Sequence, residues 1–194
     1  MSQTLTASQP LTTINGLDSA KIVETANALK ADPTLALFEF RALNRWITGG
    51  ENRSTIRDFY GAGAEDESRS EPFVFTNGEP PVLLGRNEGA NPVEFLLHAL
   101  AGCVTTTTVL HAAARGIAIE SLTTRLVGDI DLQGLLDLAD VPAGYRQIRI
   151  EMDIKAANAS DQELDDLLRF VHTHSPVCNT ISRPVPVVIE RVKG

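Results

Sequence analysis

The sequence predicts an α+β protein whose strands pair mainly antiparallel. Strand-like runs precede a long apolar helix, further strand-like runs follow it, and an amphipathic helix comes before a final apolar run. This order of grouped strands and helices is typical of α+β folds. The chain has 194 residues, 43% hydrophobic and 22% charged, which is enough for one sizeable core.

The charge and the N-terminal sequence exclude several classes of protein. The net charge is -8, and the 17 Lys and Arg residues are spread along the chain. No basic patch is therefore present for nucleic acid or an anionic membrane. The N-terminus lacks the basic and apolar regions of a signal peptide. We therefore expect a cytoplasmic protein that neither binds nor spans a membrane.

The first part of the chain is predicted to be an extension, residues 1–34, attached to a main domain of residues 35–194. Residues 1 to about 14 are polar and aperiodic, which predicts a loosely attached arm. Apolar residues recur at helical spacing from Leu17 to about Ala31, and the pattern stops before Asp32-Pro33. A short amphipathic helix is expected here.

The main domain begins with a predicted hairpin. Residues 35–48 indicate a strand that ends at Gly49-Gly50, and residues 53–60 indicate its partner. The acidic stretch 61–72 is expected to be a surface loop, and residues 73–76 a third short strand.

The most informative segment is a long helix that begins at Asn91. Asn91 suits the N-cap, Pro92 the first helical position, and Glu94 the capping-box position. Gly116 can provide the left-handed stop, which gives a helix of roughly 24 residues and about 36 Å. No charged residue lies between Glu94 and Arg115, so nearly every face must be covered. Cys103 lies at its middle.

The rest of the chain predicts two strands, a helix and a last strand. Residues 117–132 and 146–155 indicate strands, and Ser160 with Glu163 forms the capping box of an amphipathic helix. Residues 185–192 are predicted to close the chain as a strand.

Two segments resemble a known family. Residues 91–103, with Asn91-Pro92, Glu94, small apolar residues and Cys103, are similar to the signature of the OsmC/Ohr proteins. The segment 175–179, which contains Cys178, resembles the second cysteine region of that family. The resemblance covers roughly residues 35–194.

The resemblance implies a fold and an activity. The fold is an intertwined homodimer in which antiparallel sheets wrap long central helices, with active sites at the subunit interface. The activity is reduction of small organic hydroperoxides by a cysteine thiolate, through a sulfenic acid and an intramolecular disulfide that an external dithiol such as dihydrolipoamide reduces. On this basis Cys103 is the reactive cysteine and Cys178 the resolving one, and no cofactor is expected.

The sequence departs from the family pattern near both cysteines. Ser175 stands where the resolving cysteine is expected, and Cys178 follows it. The activating Arg and Glu of the family fall on Glu51 and Val93, which leaves Arg53 and Glu94 as the nearest substitutes.

These departures leave two hypotheses open. In the first, the protein is a thiol peroxidase in which an Arg near the sulfur favours the thiolate; Arg53 is the first candidate, ahead of Arg57 and Arg86. In the second, it is a non-catalytic OsmC-fold protein that binds a small molecule or senses redox state. No metal site is expected, because His98 and His111 lie on different faces of the helix and no metal motif is present.

Overall fold

The structure, a computed structural model, describes residues 13–192. They fall into two compact units, and the boundary lies between Leu96 and Leu97.

The first unit begins with a small hairpin and a helix. Strands β1 (Thr13–Ile14) and β2 (Leu17–Asp18) pair antiparallel, and helix α1 spans Ser19–Ala31. The carboxylate of Asp18 caps α1 by accepting bonds from the Ala20 and Lys21 amides. The predicted helix is confirmed, but residues 13 and 14 are paired rather than loosely attached; the remainder of the predicted arm lies outside the described residues.

Two three-stranded antiparallel sheets make up most of the first unit. One has the order β4-β5-β8 and the other β3-β6-β7. Their bounds are β3 (Glu39–Phe40), β4 (Leu43–Thr48), β5 (Glu51–Ile56), β6 (Phe59–Gly61), β7 (Ala64–Asp66) and β8 (Phe73–Asn77).

The predicted first hairpin is divided between these two sheets. Residues 35–48 do not form one strand, because a 3-10 turn occupies Pro33–Ala36 and the next residues pair with two different partners. The predicted loop at 61–72 contains β7. Ala62 and Gly63 both have positive φ, 51° and 83°, which suits a tight hairpin turn between β6 and β7.

Helix α2 (Pro92–Ala114) starts at the end of the first unit and continues in the second. The predicted capping box is present: the Asn91 side chain accepts from the Glu94 amide at 2.9 Å, and Glu94 accepts from the Asn91 amide at 2.8 Å. The helix ends at Gly116, with φ 76°, and the Ile117 amide donates to the Ala112 carbonyl, as in a Schellman motif. Both predicted ends are confirmed.

The second unit adds a long hairpin and three helices to α2. Strands β9 and β10 pair antiparallel over most of their length, and the α4 helix has the predicted capping box of Ser160 and Glu163. The short helices α3 and α5 were not predicted. The bounds are β9 (Ser121–Ile130), α3 (Leu132–Leu135), β10 (Tyr145–Lys155), α4 (Asp161–His174) and α5 (Pro176–Ile181).

The core of the second unit lies between α2, α4 and α5, against one face of the hairpin. Its buried members include Leu100, Val104, Leu167, Val171 and Cys178. Residues of β10 such as Ile150 and Met152 pack against them. This core holds α5 and the end of α4 against the middle of α2.

The predicted C-terminal strand is wrong. Residues 184–192 form no strand, and Val187, Val188 and Ile189 are highly exposed. Alternating apolar residues favour a strand only where backbone groups find a partner, and Pro184 and Pro186 each lack an N–H donor.

Helix α2 is long and apolar enough to cross a membrane by length and composition. Core helices of soluble proteins pass the same test, and Leu100, Val104 and Ala112 of this helix are buried within the second unit. The feature is therefore weak evidence for a membrane span, and a soluble protein fits.

Candidate active site

The sulfur of Cys103 lies at a polar contact between α2 and the start of α5. Its Sγ atom accepts a hydrogen bond from the Ser175 hydroxyl at 3.1 Å and one from the Val177 amide at 3.4 Å. The Cys103 side chain is half-buried, whereas Ser175 is fully buried. The sulfur thus combines two hydrogen-bond donors with partial access to solvent.

The local sequence explains why both donors point to the sulfur. Ser175 ends α4, where its amide donates to the Val171 carbonyl at 2.8 Å, and it also precedes α5. Pro176 is the first residue of α5 and has no N–H. The Val177 amide is one of the first amides of a helix, which have no carbonyl partner within that helix. It therefore donates to Cys103 instead.

This arrangement suits a nucleophilic thiolate. The thiolate is the reactive form of cysteine, and hydrogen bonds to a charged acceptor are stronger than those to a neutral one. Two donors directed at Sγ stabilise negative charge on that atom. A half-buried position leaves a path for a small reactant.

Cys178, the other predicted site cysteine, has different surroundings. Its side chain is 4% exposed and belongs to the hydrophobic core. Its Sγ atom lies 3.9 Å from the Ser182 hydroxyl. Both cysteines are free thiols in this structure, and the side chain that donates to the Cys103 sulfur is that of Ser175.

Cys178 also lines a cavity of about 180 Å³ within the second unit. The remaining lining consists of apolar side chains of α2, β10 and α4, together with His172.

The two predicted charged partners belong to the first unit. Arg53, on β5, is 55% exposed, and its Nη2 atom lies 3.3 Å from Glu51 Oε1. The Glu94 carboxylate is occupied by the capping box, as the N3 position predicts. The structure thus shows a structural role for Glu94 and a surface ion pair for Arg53.

The weaker arginine candidates are engaged elsewhere. Arg57 donates to the Arg69 carbonyl at 3.1 Å, and Arg86 pairs with Glu88 at 3.0 Å. The hydrogen bonds that Glu88 accepts, including those from Arg86, lower the pKa of the Glu88 carboxyl below its usual value.

His111 of α2 and His174 of α4 form an aromatic group with Phe170. His111 lies edge-on to Phe170 at 4.6 Å between centroids, and His174 stacks on Phe170 at 3.7 Å. Burial lowers the pKa of His111, and the positive charges of Arg115 and His174 lower it further. Within residues 13–192 no group of three or more His, Cys, Asp or Glu side chains could hold a metal ion.

The sequence did not reveal the two hydrogen-bond donors to Cys103. Ser175 was notable in the sequence only as the position where a cysteine is expected. The role of Val177 could not be predicted from its side chain, because its backbone amide is the donor. The one usable signal was Pro176, which can start a short helix after the end of α4.

Comparison with known protein families identifies the family to which the chain is similar. The family profile described as OsmC-like protein matches residues 85–190, which is more than half of the chain. Comparison with curated protein sequences gave no significant match.

Solved structures with the same fold come from several bacteria. An OsmC-like protein from Mycoplasma pneumoniae is 22% identical with a TM-score of 0.57, and the match covers 74% of this chain and 87% of that one. An organic hydroperoxide resistance protein OsmC from Legionella pneumophila is 15% identical with a TM-score of 0.50, over 75% and 90% of the two chains. One from Elizabethkingia anophelis is 17% identical with a TM-score of 0.50, over 74% and 88%. At these identities the likeness establishes the fold.

Proposed function

The chain belongs to the OsmC-like protein family, and we propose that it is a thiol peroxidase that reduces organic hydroperoxides with Cys103 as its nucleophile. The observation that carries the proposal is the pair of hydrogen bonds from Ser175 and Val177 to the Cys103 sulfur. Solved structures of the same fold include organic hydroperoxide resistance proteins, which supports the substrate class.

The proposed reaction begins with the thiolate of Cys103. The sulfur attacks the distal oxygen of the hydroperoxide, the O–O bond breaks, and the alcohol leaves after taking up a proton. Cys103 becomes a sulfenic acid, the first and reversible step of thiol oxidation. The Ser175 hydroxyl and the Val177 amide hold the sulfur and stabilise its charge before the attack.

Arg53 and Glu94 are the proposed charged partners of this site. An arginine near the thiolate would favour the ionised sulfur, and the half-exposed side chain of Arg53 has room to change partner from Glu51. Glu94 is already bound to the Asn91 amide, so any catalytic role of its carboxylate is additional to capping.

A homodimer with active sites at the subunit interface is part of the proposal. Large apolar side chains of the first unit are exposed, among them Phe40, Leu43 and Trp46 at 72%, 55% and 73%. In the second unit, Leu110 on α2 and the apolar side chains of the segment 185–192 are also exposed to solvent. Soluble monomers rarely expose large contiguous apolar patches. A second copy in a cytoplasmic dimer would cover these exposed apolar side chains. Light scattering coupled to size-exclusion chromatography tests the stoichiometry.

Consumption of cumene hydroperoxide with dihydrolipoamide as the reductant tests the activity. We expect turnover in the wild type and its loss in Cys103→Ser. Thr180→Val serves as the control, because it removes a hydroxyl on α5 that donates to the Pro176 carbonyl. An unchanged rate in Cys103→Ser, with the protein still folded, would refute the proposal.

The cavity beside Cys178 favours a second candidate function, a non-catalytic protein that binds a small apolar molecule or senses redox state. A dry apolar cavity of about 150 Å³ can hold benzene, so about 180 Å³ is enough for a ligand of similar size. Leu168→Trp would fill part of this cavity. If the cavity is the functional site, calorimetry with benzene and indole should show binding to the wild type and not to the variant.

A further inference from the structure

We infer that an external low-molecular-weight thiol attacks the oxidised sulfur of Cys103 directly, without a disulfide between Cys103 and Cys178. This inference rests on the proposed peroxidase function. It concerns the second half of the reaction, in which the sulfenic acid is reduced.

Ser175 occupies the place next to the Cys103 sulfur. Its Oγ atom lies 3.1 Å from Sγ, within the separation of about 3–3.5 Å at which a second sulfur would stand before it attacks. A hydroxyl cannot form a disulfide. The side chain best placed to resolve the sulfenic acid within the chain therefore lacks the required atom.

Cys178 is held away from this role by its packing. Its thiol is 4% exposed and packs in the core with residues such as Leu167 and Val171, which are 0% and 2% exposed. The disulfide bond requires the two sulfurs to come within about 2.05 Å and the Cα atoms within about 7 Å. Cys178 is buried in the core, and the fully buried Ser175 holds the position beside the Cys103 sulfur.

Direct attack by an external thiol completes the reaction with all atoms balanced. The incoming thiol forms an S–S bond with the Cys103 sulfur, and the sulfenic oxygen leaves as water. A second thiol attacks this mixed disulfide at the sulfur of the external thiol, which releases the oxidised external disulfide and restores Cys103. In sum, one hydroperoxide and two thiols give one alcohol, one water and one disulfide.

A monothiol and a dithiol both satisfy this scheme. A dithiol such as dihydrolipoamide supplies both thiol groups from one molecule. A monothiol such as glutathione supplies them from two molecules and leaves a transient adduct on Cys103. The Cys103 residue is partly exposed to solvent, from which either thiol would come.

Intact-mass analysis after one equivalent of cumene hydroperoxide, without reductant, tests the inference. We expect the wild type to gain one oxygen atom at Cys103, to react there with dimedone, and to keep a free Cys178 thiol after denaturation. Addition of glutathione should convert the oxidised form to a glutathione adduct on Cys103. Loss of two hydrogens and of both thiols would overturn the inference while supporting the peroxidase function.

Two variants separate the remaining outcomes. Cys178→Ser should turn over with glutathione at a rate within about twofold of the wild type, whereas a loss of tenfold or more would overturn the inference. Ser175→Cys should form a disulfide with Cys103 after one equivalent of hydroperoxide, which shows that position 175 is the one that can bridge. If the wild type shows no oxidation at Cys103, the proposed function itself fails.

Discussion

The hydroxyl of Ser175 lies 3.1 Å from the sulfur of Cys103, although the two residues are 72 positions apart in the sequence. The contact joins the middle of α2 to the junction of α4 and α5. It gives the sulfur a hydrogen-bond donor and places a hydroxyl, rather than a thiol, beside it.

Ser175→Ala should lower the reactivity of Cys103. A hydrogen bond to a charged group contributes about 1.5–3 kcal/mol, so its loss should reduce kcat/KM with cumene hydroperoxide by about tenfold or more. The rate of iodoacetamide alkylation at neutral pH should fall in the same direction. Thr180→Val, whose hydroxyl donates to a carbonyl within α5, should leave both rates unchanged. Equal rates in Ser175→Ala and the wild type would show that the hydroxyl does not support the thiolate.

Arg53→Met should separate an arginine that acts on the sulfur from one that only forms a surface pair. We expect kcat/KM to fall by about tenfold or more, as for the loss of a hydrogen bond to a charged group. Stability should fall as well, because the largely buried Glu51, 14% exposed, loses its partner. Arg86→Met is the matched control, since Arg86 is also exposed and paired with a nearby carboxylate, Glu88. If both variants retain full activity, Arg53 has no role in the reaction.

Asn91 and Glu94 should depend on each other for stability. Each accepts a hydrogen bond from the backbone amide of the other, so Asn91→Ala and Glu94→Ala should each lower the free energy of unfolding by about 1 kcal/mol. Urea denaturation measures both values and their coupling in the double variant. Glu94→Gln keeps a side-chain acceptor and should remain close to wild-type stability. Loss of activity in Glu94→Gln at unchanged stability would reveal a catalytic role in addition to capping.

The contrast between the caps and the active site shows which features the sequence can predict. Asn91 with Glu94, and Ser160 with Glu163, are local: the chemistry that starts each helix lies within four residues. The starts of helices α2 and α4 were therefore predicted correctly.

Features that depend on distant residues were not predictable in the same way. The run at 185–192 is as apolar as a strand, but Pro184 and Pro186 lack N–H donors, and no strand of the described residues pairs with it. The contact of Ser175 and Val177 with Cys103 depends on how α4 and α5 pack against α2. It is a tertiary contact. The family resemblance drew attention to position 175, but it did not predict the hydrogen bond from Ser175 to Cys103.

The pH dependence of stability should carry a contribution from His111. Its pKa is lowered from the usual 6.5, first by burial and then by the charges of Arg115 and His174. The folded protein therefore binds this proton more weakly than the unfolded chain does. Stability from this group is complete above about pH 6.5 and is lost as the pH falls below that value toward the lowered pKa.

Urea denaturation between pH 5 and 8 measures this contribution. His111→Gln removes the titrating group, so the slope of the free energy of unfolding against pH should be smaller below pH 6.5 than in the wild type. Arg115→Met removes one source of positive charge and should reduce the slope in part, because the pKa of His111 then returns toward its usual value. Identical slopes in the wild type and His111→Gln would mean that burial against Phe170 does not disfavour the protonated ring.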